Sequence, residues 1–253
     1  MKAKITKRNK HAVLLFAVLL AAAFALAASV PEGPEGLSVV NSSRRQLTPA
    51  STLDAIAGNV TQLNIYAQTQ TLTWQGYYGN VTGTINLGDA SGYILYDWET
   101  ANPSGQVYAS TSELSFSSGN IECYNFSKRE DNYLNLTDYE ASLGLSPGSA
   151  DGINETFNET TLYDPFYVGA NYINKTCPVV YLYNSSNASS AGTYQEVMLY
   201  EKTANDVIYT SIIRPGGIIG FNNLPWDFQM IVAEDGHSGN TAPTTYYFYV
   251  ALQ

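Results

Sequence analysis

Histidine is nearly absent from this 253-residue chain, which contains only His11 and His237. A serine or cysteine nucleophile normally needs a histidine base, and His237, in a Gly/Ser/Asn-rich loop, is the one candidate outside the N-terminal leader. In the stretch from Gly88 to Gly92, Ser91 stands one place too late for a G-x-S-x-G motif. There is also no phosphate-binding glycine loop and no dinucleotide fingerprint. The sequence therefore predicts a protein that is not an enzyme and holds no cofactor.

Basic residues are scarce and badly distributed. The chain has 12 Lys+Arg against 22 Asp+Glu, and five of the basic residues lie in residues 1–27, which contain no acidic residue. The remainder carries seven basic and 22 acidic residues, a net charge of −15. Nucleic acids and anionic lipids select basic surfaces, so both are excluded as partners. A strongly acidic exterior is solvated and self-repelling.

The leader has the three parts of an export signal. A basic stretch is followed by a charge-free apolar run over residues 12–30 and by the small-x-small tripeptide Ala25-Leu26-Ala27. Cleavage after Ala27 makes residues 1–27 a signal peptide and leaves no membrane segment. The alternative is a retained anchor, since about 19 apolar residues just span a bilayer. The remaining chain, about 225 residues, suits one large all-β domain or two small ones.

Cysteine is also rare, with Cys123 and Cys177 as the only two. An even count in an exported chain predicts one disulfide, and free thiols are the alternative. By closing the loop between the two cysteines, the disulfide is expected to stabilise the fold by roughly 4 kcal/mol on the chain-entropy model. Two cysteines and one histidine are too few for a structural zinc site.

The strongest positive signal is the N-x-S/T sequon, which occurs ten times. In an exported chain this density predicts N-glycosylation, which requires exposed asparagines, whereas a merely Ser/Thr/Asn-rich composition is the alternative. The acceptors are Asn41, Asn59, Asn80, Asn125, Asn135, Asn154, Asn158, Asn174, Asn184 and Asn187.

Apolar alternation predicts a strand-rich chain. Ile85 and Leu87 alternate with Thr84 and Asn86, and Asn80 shares the parity of the polar set, so its glycan would point away from a core. Turn signals every 8–12 residues predict an all-β, immunoglobulin-like β-sandwich over residues 37–253. Strands are predicted at 37–41, 63–67, 72–74, 81–87, 93–98, 106–111, 179–183, 195–201, 206–213, 227–233 and 244–252.

Residues 117–176 break this pattern. They are rich in sequons and have little apolar periodicity, so we predict a long, glycan-rich, loop-rich insertion held by the disulfide, with one short helix within 133–145. Residues 28–36 form a Pro/Gly linker that cannot be helical. The apolar stretch that follows, "GLSVVNSS", either pairs within its own domain or is lent to a neighbouring copy.

Other polar clusters give weak signals. Asp97 and Glu99 share a strand face and are the best carboxylate pair for glycoside hydrolysis, but solvated surface charge is the more ordinary interpretation. Glu234 and Asp235, with Asn240 nearby, offer oxygen ligands for Ca²⁺, yet their spacing matches no EF-hand, so no metal site is predicted. Twenty tyrosines and three tryptophans are either core and interface filler or a sugar-binding surface.

Several stretches of the chain resemble a family of exported archaeal surface proteins of unassigned function. They are "WQGYYGNVTGTI", "DWETANPSGQVYAS", "QEVMLYE", "DFQMIVAEDG" and "TYYFYVAL". The resemblance spans most of the chain after the leader and implies an extracytoplasmic location and a β-rich fold. It carries no catalytic residues.

Together these patterns predict an extracellular or cell-surface structural protein, an N-glycosylated subunit of a surface layer or filament. Its predicted partners are copies of itself and its own N-linked glycans. The alternative is an adhesin or carbohydrate-binding module, which would use aromatic residues such as Trp74, Tyr77, Tyr78 and Trp98 left exposed after folding.

Overall fold

The computed structural model describes residues 29–99, 103–116, 119–157, 161–174 and 176–252. The predicted signal peptide, residues 1–27, and the acceptor Asn158 lie outside these ranges. Within them the chain is mainly strands with two short helices, as the alternation predicted. No helix in the described ranges combines the length and the apolar character that a membrane crossing requires.

The elements follow one another in this order. The strands are β1 (Trp74–Gly79), β2 (Thr84–Gly88), β3 (Ile94–Glu99), β4 (Gly105–Ser110), β5 (Ile121–Cys123), β6 (Phe166–Val168), β7 (Asn171–Ile173), β8 (Val179–Leu182), β9 (Tyr194–Glu201), β10 (Asp206–Ile212), β11 (Ile218–Ile219), β12 (Pro225–Trp226), β13 (Phe228–Ala233) and β14 (Tyr247–Leu252). The helices are α1 (Leu136–Ser142) and α2 (Ile153–Thr156), with a 3₁₀ turn at Gly236–Ser238.

A six-stranded antiparallel sheet is the centre of the fold. Its strand order is β14-β4-β10-β9, and the far edge of β9 pairs with β5 at one end and with β8 at the other. Four two-stranded ribbons surround it: β1–β13, β2–β3, β6–β7 and β11–β12. Because every residue of β4, β9 and β10 except the half-buried Gln195 is buried, both faces of this sheet must be covered.

One face of the sheet packs against the β1–β13 ribbon and the two helices. Met198, Tyr200 and Tyr209 from the sheet form a core with Met230 and Val232 of β13. The opposite face packs against the β6–β7 ribbon and the segment that carries Phe116. Its residues include Tyr108, Val197, Leu199 and Ile208 from the sheet, and Val168 from β6.

Two side chains of the central sheet form hydrogen bonds with the edge of β13 that does not pair with β1. Without them, another strand would be needed to satisfy the backbone groups of that edge. Glu196 and Ser211 stand directly opposite each other in the β9–β10 register, and both are fully buried. The Glu196 Oε2 accepts a hydrogen bond from the Ile231 N–H at 2.9 Å, and the Ser211 hydroxyl donates to the Gln229 carbonyl at 2.7 Å. The pair therefore joins the two layers and satisfies backbone groups of a strand edge.

Residues 117–176 contain more structure than their sequence predicted. They supply β5, β6, β7 and both helices. Asn135 caps α1 by accepting from the Asp138 N–H, and the Glu140 carboxylate accepts from the first two N–H groups of α2. Tyr139 and Ile153, among other side chains, reach the core from this region. The apolar residues of the region lie on short elements, so no long period appears in the sequence.

The N-terminal part of the described chain divides into a short paired piece and a long exposed arm. Glu32 forms an antiparallel bridge to Val250 on the outer edge of β14, through backbone bonds of 3.0 and 2.8 Å, and Pro31 is buried beside it. Residues 37–72, which we call the arm, contain no strand or helix. The strands predicted at 37–41 and 63–67 are thus absent, and Trp74 opens β1 instead.

Candidate functional site

The glycan acceptors are the first candidate sites. Of the nine acceptors within the described ranges, none is buried. Asn135, Asn154 and Asn184 are half-buried, and the others are exposed: Asn41, Asn59, Asn80, Asn125, Asn174 and Asn187. Every described acceptor therefore meets the accessibility that glycosylation requires, while glycosylation itself stays a prediction.

Several acceptor amides also take part in local structure through their carbonyl oxygen. The Asn125 Oδ1 accepts from the Ser127 N–H at 3.0 Å, and the Asn184 Oδ1 accepts from the Ser186 and Ala188 N–H groups. The Oδ1 of Asn135 caps α1. An N-linked sugar attaches at the amide nitrogen, so these Oδ1 contacts are compatible with modification, whereas the Asn135 amide nitrogen also donates to the Asp138 carboxylate at 2.5 Å.

The predicted pairing of Cys123 with Cys177 is present. Their Cα atoms lie 5.2 Å apart, and the disulfide spans 54 residues. It joins β5 to Cys177, two residues before the start of β8, and these two strands share the far edge of β9. A disulfide in this position fits an oxidising, extracellular environment.

The β2–β3 hairpin is amphipathic, and its apolar face is uncovered. Ile85 pairs with Trp98 and Leu87 with Tyr96, so these four side chains share one face. They are exposed to 45, 51, 52 and 60 % in that order. The opposite face carries Asn86 paired with Asp97. The alternation of apolar and polar residues therefore predicted these two strands, but their apolar side chains are not buried within the described chain.

The hairpin is well formed at both ends. At the turn, the Asp89 carboxylate accepts from the Ser91 and Tyr93 N–H groups, each at 2.9 Å, and Gly92 has a φ of +84°. At the base, the Val81 N–H donates to the Asp227 carboxylate at 2.8 Å. The apolar face is thus held in a defined shape.

The arm is the second exposed apolar feature. Its large apolar side chains are turned to solvent along its length: Leu37, Val39, Val40, Leu47, Leu53, Ile56, Val60, Leu63, Ile65, Tyr66 and Leu72. The arm touches itself where the Arg45 guanidinium donates to the Gln68 carbonyl at 3.1 Å. Its apolar residues have no core to enter within the described chain.

The exposed aromatic rings around Tyr78 and in the β2–β3 hairpin meet their neighbours edge to face. Tyr78 contacts Phe221 and Trp226 with interplanar angles of 74° and 62°, and Tyr96 contacts Trp98 at 62°. Sugar-binding platforms use rings that lie flat against a pyranose face, whereas edge-to-face pairs are typical of apolar packing. Trp74 is half-buried, and its indole N–H donates to the Asp151 carbonyl.

His237 has tertiary partners that its loop sequence does not predict. Its Nε2 lies 2.8 Å from the Thr73 hydroxyl and 3.5 Å from the Asp151 Oδ2. Burial raises the pKa of Asp151, but hydrogen bonds from Thr71 and Thr73 and the nearby His237 outweigh it, so the pKa lies below its ordinary value.

This cluster lacks the geometry of a nucleophilic triad. There, the hydroxyl and the carboxylate bind opposite ring nitrogens, whereas here both lie at Nε2. Thr73 is also fully buried, which denies a substrate access to its hydroxyl. The cluster connects the β13–β14 loop, the start of β1 and the 117–176 region. The expectation that the protein is not an enzyme stays a prediction.

The acidic candidates are engaged locally. The Glu234 carboxylate accepts from the Thr244 hydroxyl, and the Asp235 carboxylate accepts from the Asn240 amide. Nowhere in the described ranges do three His, Cys, Asp or Glu side chains gather in a metal-binding group. The exposed Asp97 lies on the polar face of β3, whereas the side chain of Glu99 lies outside what is described.

Two important residues escaped the sequence analysis. Glu196 left one signal: it has the parity of Met198 and Tyr200 in β9, so a charged residue occupies an apolar register. The contact between Thr73 and His237 joins residues 164 positions apart and left no signal.

Comparisons of the chain with protein-family models, with curated proteins and with solved structures found no match. The resemblance to exported archaeal surface proteins therefore remains a prediction.

Proposed function

We propose that this protein is an extracellular structural subunit that is N-glycosylated and assembles with copies of itself into a surface layer or filament. The observation that carries the proposal is the uncovered apolar face of the β2–β3 hairpin. An amphipathic pattern of this kind is expected where a face is buried, and a second copy supplies the missing cover.

The energetics of the hairpin favour such a cover. A two-stranded hairpin is only marginally stable in water unless its apolar face packs against something. Tyr96 and Trp98 each leave about half of their surface in water. Contiguous exposed apolar surface of this kind marks interaction sites on soluble proteins. The face therefore favours association over a monomeric function.

The arm offers a route to open-ended assembly. We propose that its first residues, 37–43, add as a strand to a neighbouring copy, since in the single chain they have no strand partner. A contact in which one copy donates and the next accepts is heterologous, and it propagates into a fibre where rotation closes no ring.

The proposed surroundings follow from three features. The export leader, the disulfide and the accessible sequons all fit the cell surface. The finer fold assignment, an immunoglobulin-like sandwich, is part of the proposal, and it is supported by the packing of the β1–β13 ribbon on the central sheet. The adhesin alternative ranks second, because the exposed rings meet edge to face.

Electron microscopy of material shed from native cells, with intact-mass measurement on the same sample, tests the proposal. We expect polymers whose subunits start at Ala28 and weigh more than the bare polypeptide. A monomer of unmodified mass would contradict it. Deleting residues 28–43 should leave folded monomers, and unchanged filaments from that variant would refute the strand mechanism alone.

A further inference from the structure

We infer that residues 37–47 of one copy lie on the apolar face of the β2–β3 hairpin of the next copy. This inference rests on the proposed self-assembly, and it is an alternative to the strand addition above, because the segment packs on a side-chain face and not at a strand edge. The acceptor is the face formed by Ile85, Leu87, Tyr96 and Trp98, and the donor is the segment "LSVVNSSRRQL".

The acceptor is a formed surface before any partner arrives. The capped turn at Asp89 and the anchored base at Val81 fix the hairpin, and its cross-strand pairs fix which side chains share the face. The Tyr96 and Trp98 rings lie 4.9 Å apart, so they form one continuous aromatic patch. A preformed patch loses little conformational entropy when it is covered.

The donor segment presents matching chemistry. Leu37, Val39, Val40 and Leu47 are between 70 and 96 % exposed. The segment contains no helix or strand, so it gives up no secondary-structure hydrogen bonds when it conforms to the acceptor. Each copy thus carries one exposed apolar face and one exposed apolar segment. When the segment of one copy packs on the face of the next, both are removed from water.

The distribution of charge favours the arm over a second hairpin as the segment that covers the apolar face. The arm holds Arg44, Arg45 and Asp54, a net charge of +1, whereas residues 73–253 hold five basic and 19 acidic residues, a net charge of −14. A second hairpin on the same face would bring two acidic bodies together, and like charges oppose that approach. The arm instead brings two arginines to an acidic body, whose hairpin carries Asp89 at its turn.

Mixed crosslinking tests the pairing directly. Two variants of the full chain, Val39→Cys and Tyr96→Cys, are produced in native cells, each alone and as a mixture in the same cells, and all three assemblies are treated with a short bis-maleimide. The two native cysteines are already paired, so each variant offers one thiol within the described ranges. We expect a crosslinked dimer in the mixture and little dimer from either variant alone.

The opposite patterns would overturn the inference. A dimer formed by Tyr96→Cys alone means that hairpin meets hairpin. In a double variant, Val39→Cys with Tyr96→Cys, crosslinking confined to single chains means that the arm covers its own hairpin. Filaments that persist in native material without any crosslink refute this pairing and leave the proposed function standing, whereas native material without polymers refutes the proposed function itself.

A matched pair of substitutions adds a second readout. Tyr96→Ser removes an aromatic ring from the acceptor, and Tyr183→Ser removes one that is exposed to nearly the same degree, 56 %, outside the hairpin. We expect Tyr96→Ser to weaken assembly by about tenfold and Tyr183→Ser to leave it unchanged. Equal effects of the two substitutions would contradict the inference. Circular dichroism of both variants verifies that they remain folded.

Discussion

At the scale of single residues, Glu196 shows how one carboxyl group joins two layers of the fold. It is fully buried, and burial raises its pKa well above the ordinary value, while the bond from the Ile231 N–H opposes this only in part. Its Oε1 has no hydrogen-bond partner within the described chain. A protonated carboxylic acid is the form that such a site stabilises, because a buried charge without a partner is costly.

The sign of the pH dependence follows from this. The folded chain holds the Glu196 proton more tightly than the unfolded chain, so its contribution to stability is complete below the unfolded pKa, near 4.3. It is lost as the pH rises toward the folded pKa. Relative to Glu196→Gln, the free energy of unfolding of the wild type should fall by up to about 1.4 kcal/mol per pH unit in that interval.

Urea titrations between pH 4 and pH 9 measure this difference. Glu130→Gln is the matched control, because its side chain is 71 % exposed and pairs only at the surface with Lys128. The free energy of unfolding of the control variant should change with pH in the same way as that of the wild type. Parallel curves for Glu196→Gln as well would show that the buried carboxyl does not carry the pH dependence.

At the scale of elements, alternation identified strands well where tertiary contacts agreed with it. The predictions at 195–201, 206–213 and 227–233 match β9, β10 and β13 to within a residue or two. In the arm the same signal failed, because Leu63 and Ile65 alternate in sequence but belong to no strand in the part of the chain that the structure describes. Alternation of apolar residues in a sequence indicates that a segment can form a strand, but it does not supply the neighbouring strand with which the segment must pair.

The 117–176 region failed for the opposite reason. Three of its core residues are the tyrosines Tyr124, Tyr133 and Tyr139, whose hydroxyl groups have hydrogen-bond partners, as in the 2.6 Å contact between Tyr139 and Tyr209. Buried tyrosines on short elements are hard to recognise from the sequence, because their side chains end in a polar group and the elements are too short to show a repeating apolar pattern. The location of the disulfide and of α1 was predictable, whereas the packing of the region against the sheet was not.

Removing the disulfide tests how strongly this region is coupled to the rest. Because the region supplies core residues to both faces of the sheet, Cys123→Ser with Cys177→Ser should destabilise the whole fold by about 2–5 kcal/mol. Urea unfolding should remain one transition with a lower midpoint. Two separate transitions, with the sheet keeping its stability, would show that the region is an independent attachment.

At the scale of the whole molecule, the acceptors and the core occupy separate parts of the structure. Exposed acceptors are found from the arm to the loop that precedes β9, while buried tyrosines and aliphatic residues fill both sides of the central sheet. Sugars at these positions, if present, would therefore lie outside the packed core. The body carries a net charge of −14 over residues 73–253, which opposes the approach of a second copy, so the proposed association would depend on the few uncovered apolar surfaces.

This separation predicts that glycosylation governs solubility and surface properties more than folding. Asn59→Gln and Asn80→Gln should each remove one glycan and change the free energy of unfolding by no more than about 0.5 kcal/mol, because both side chains are exposed. Asn135→Ala should cost about 1 kcal/mol even in unglycosylated protein, because it deletes the cap of α1. Urea unfolding of each variant, made with and without glycosylation, separates the two effects. If the unglycosylated wild type failed to fold, the sugars would be part of the folding free energy, and the outward placement of the acceptors would no longer explain their number.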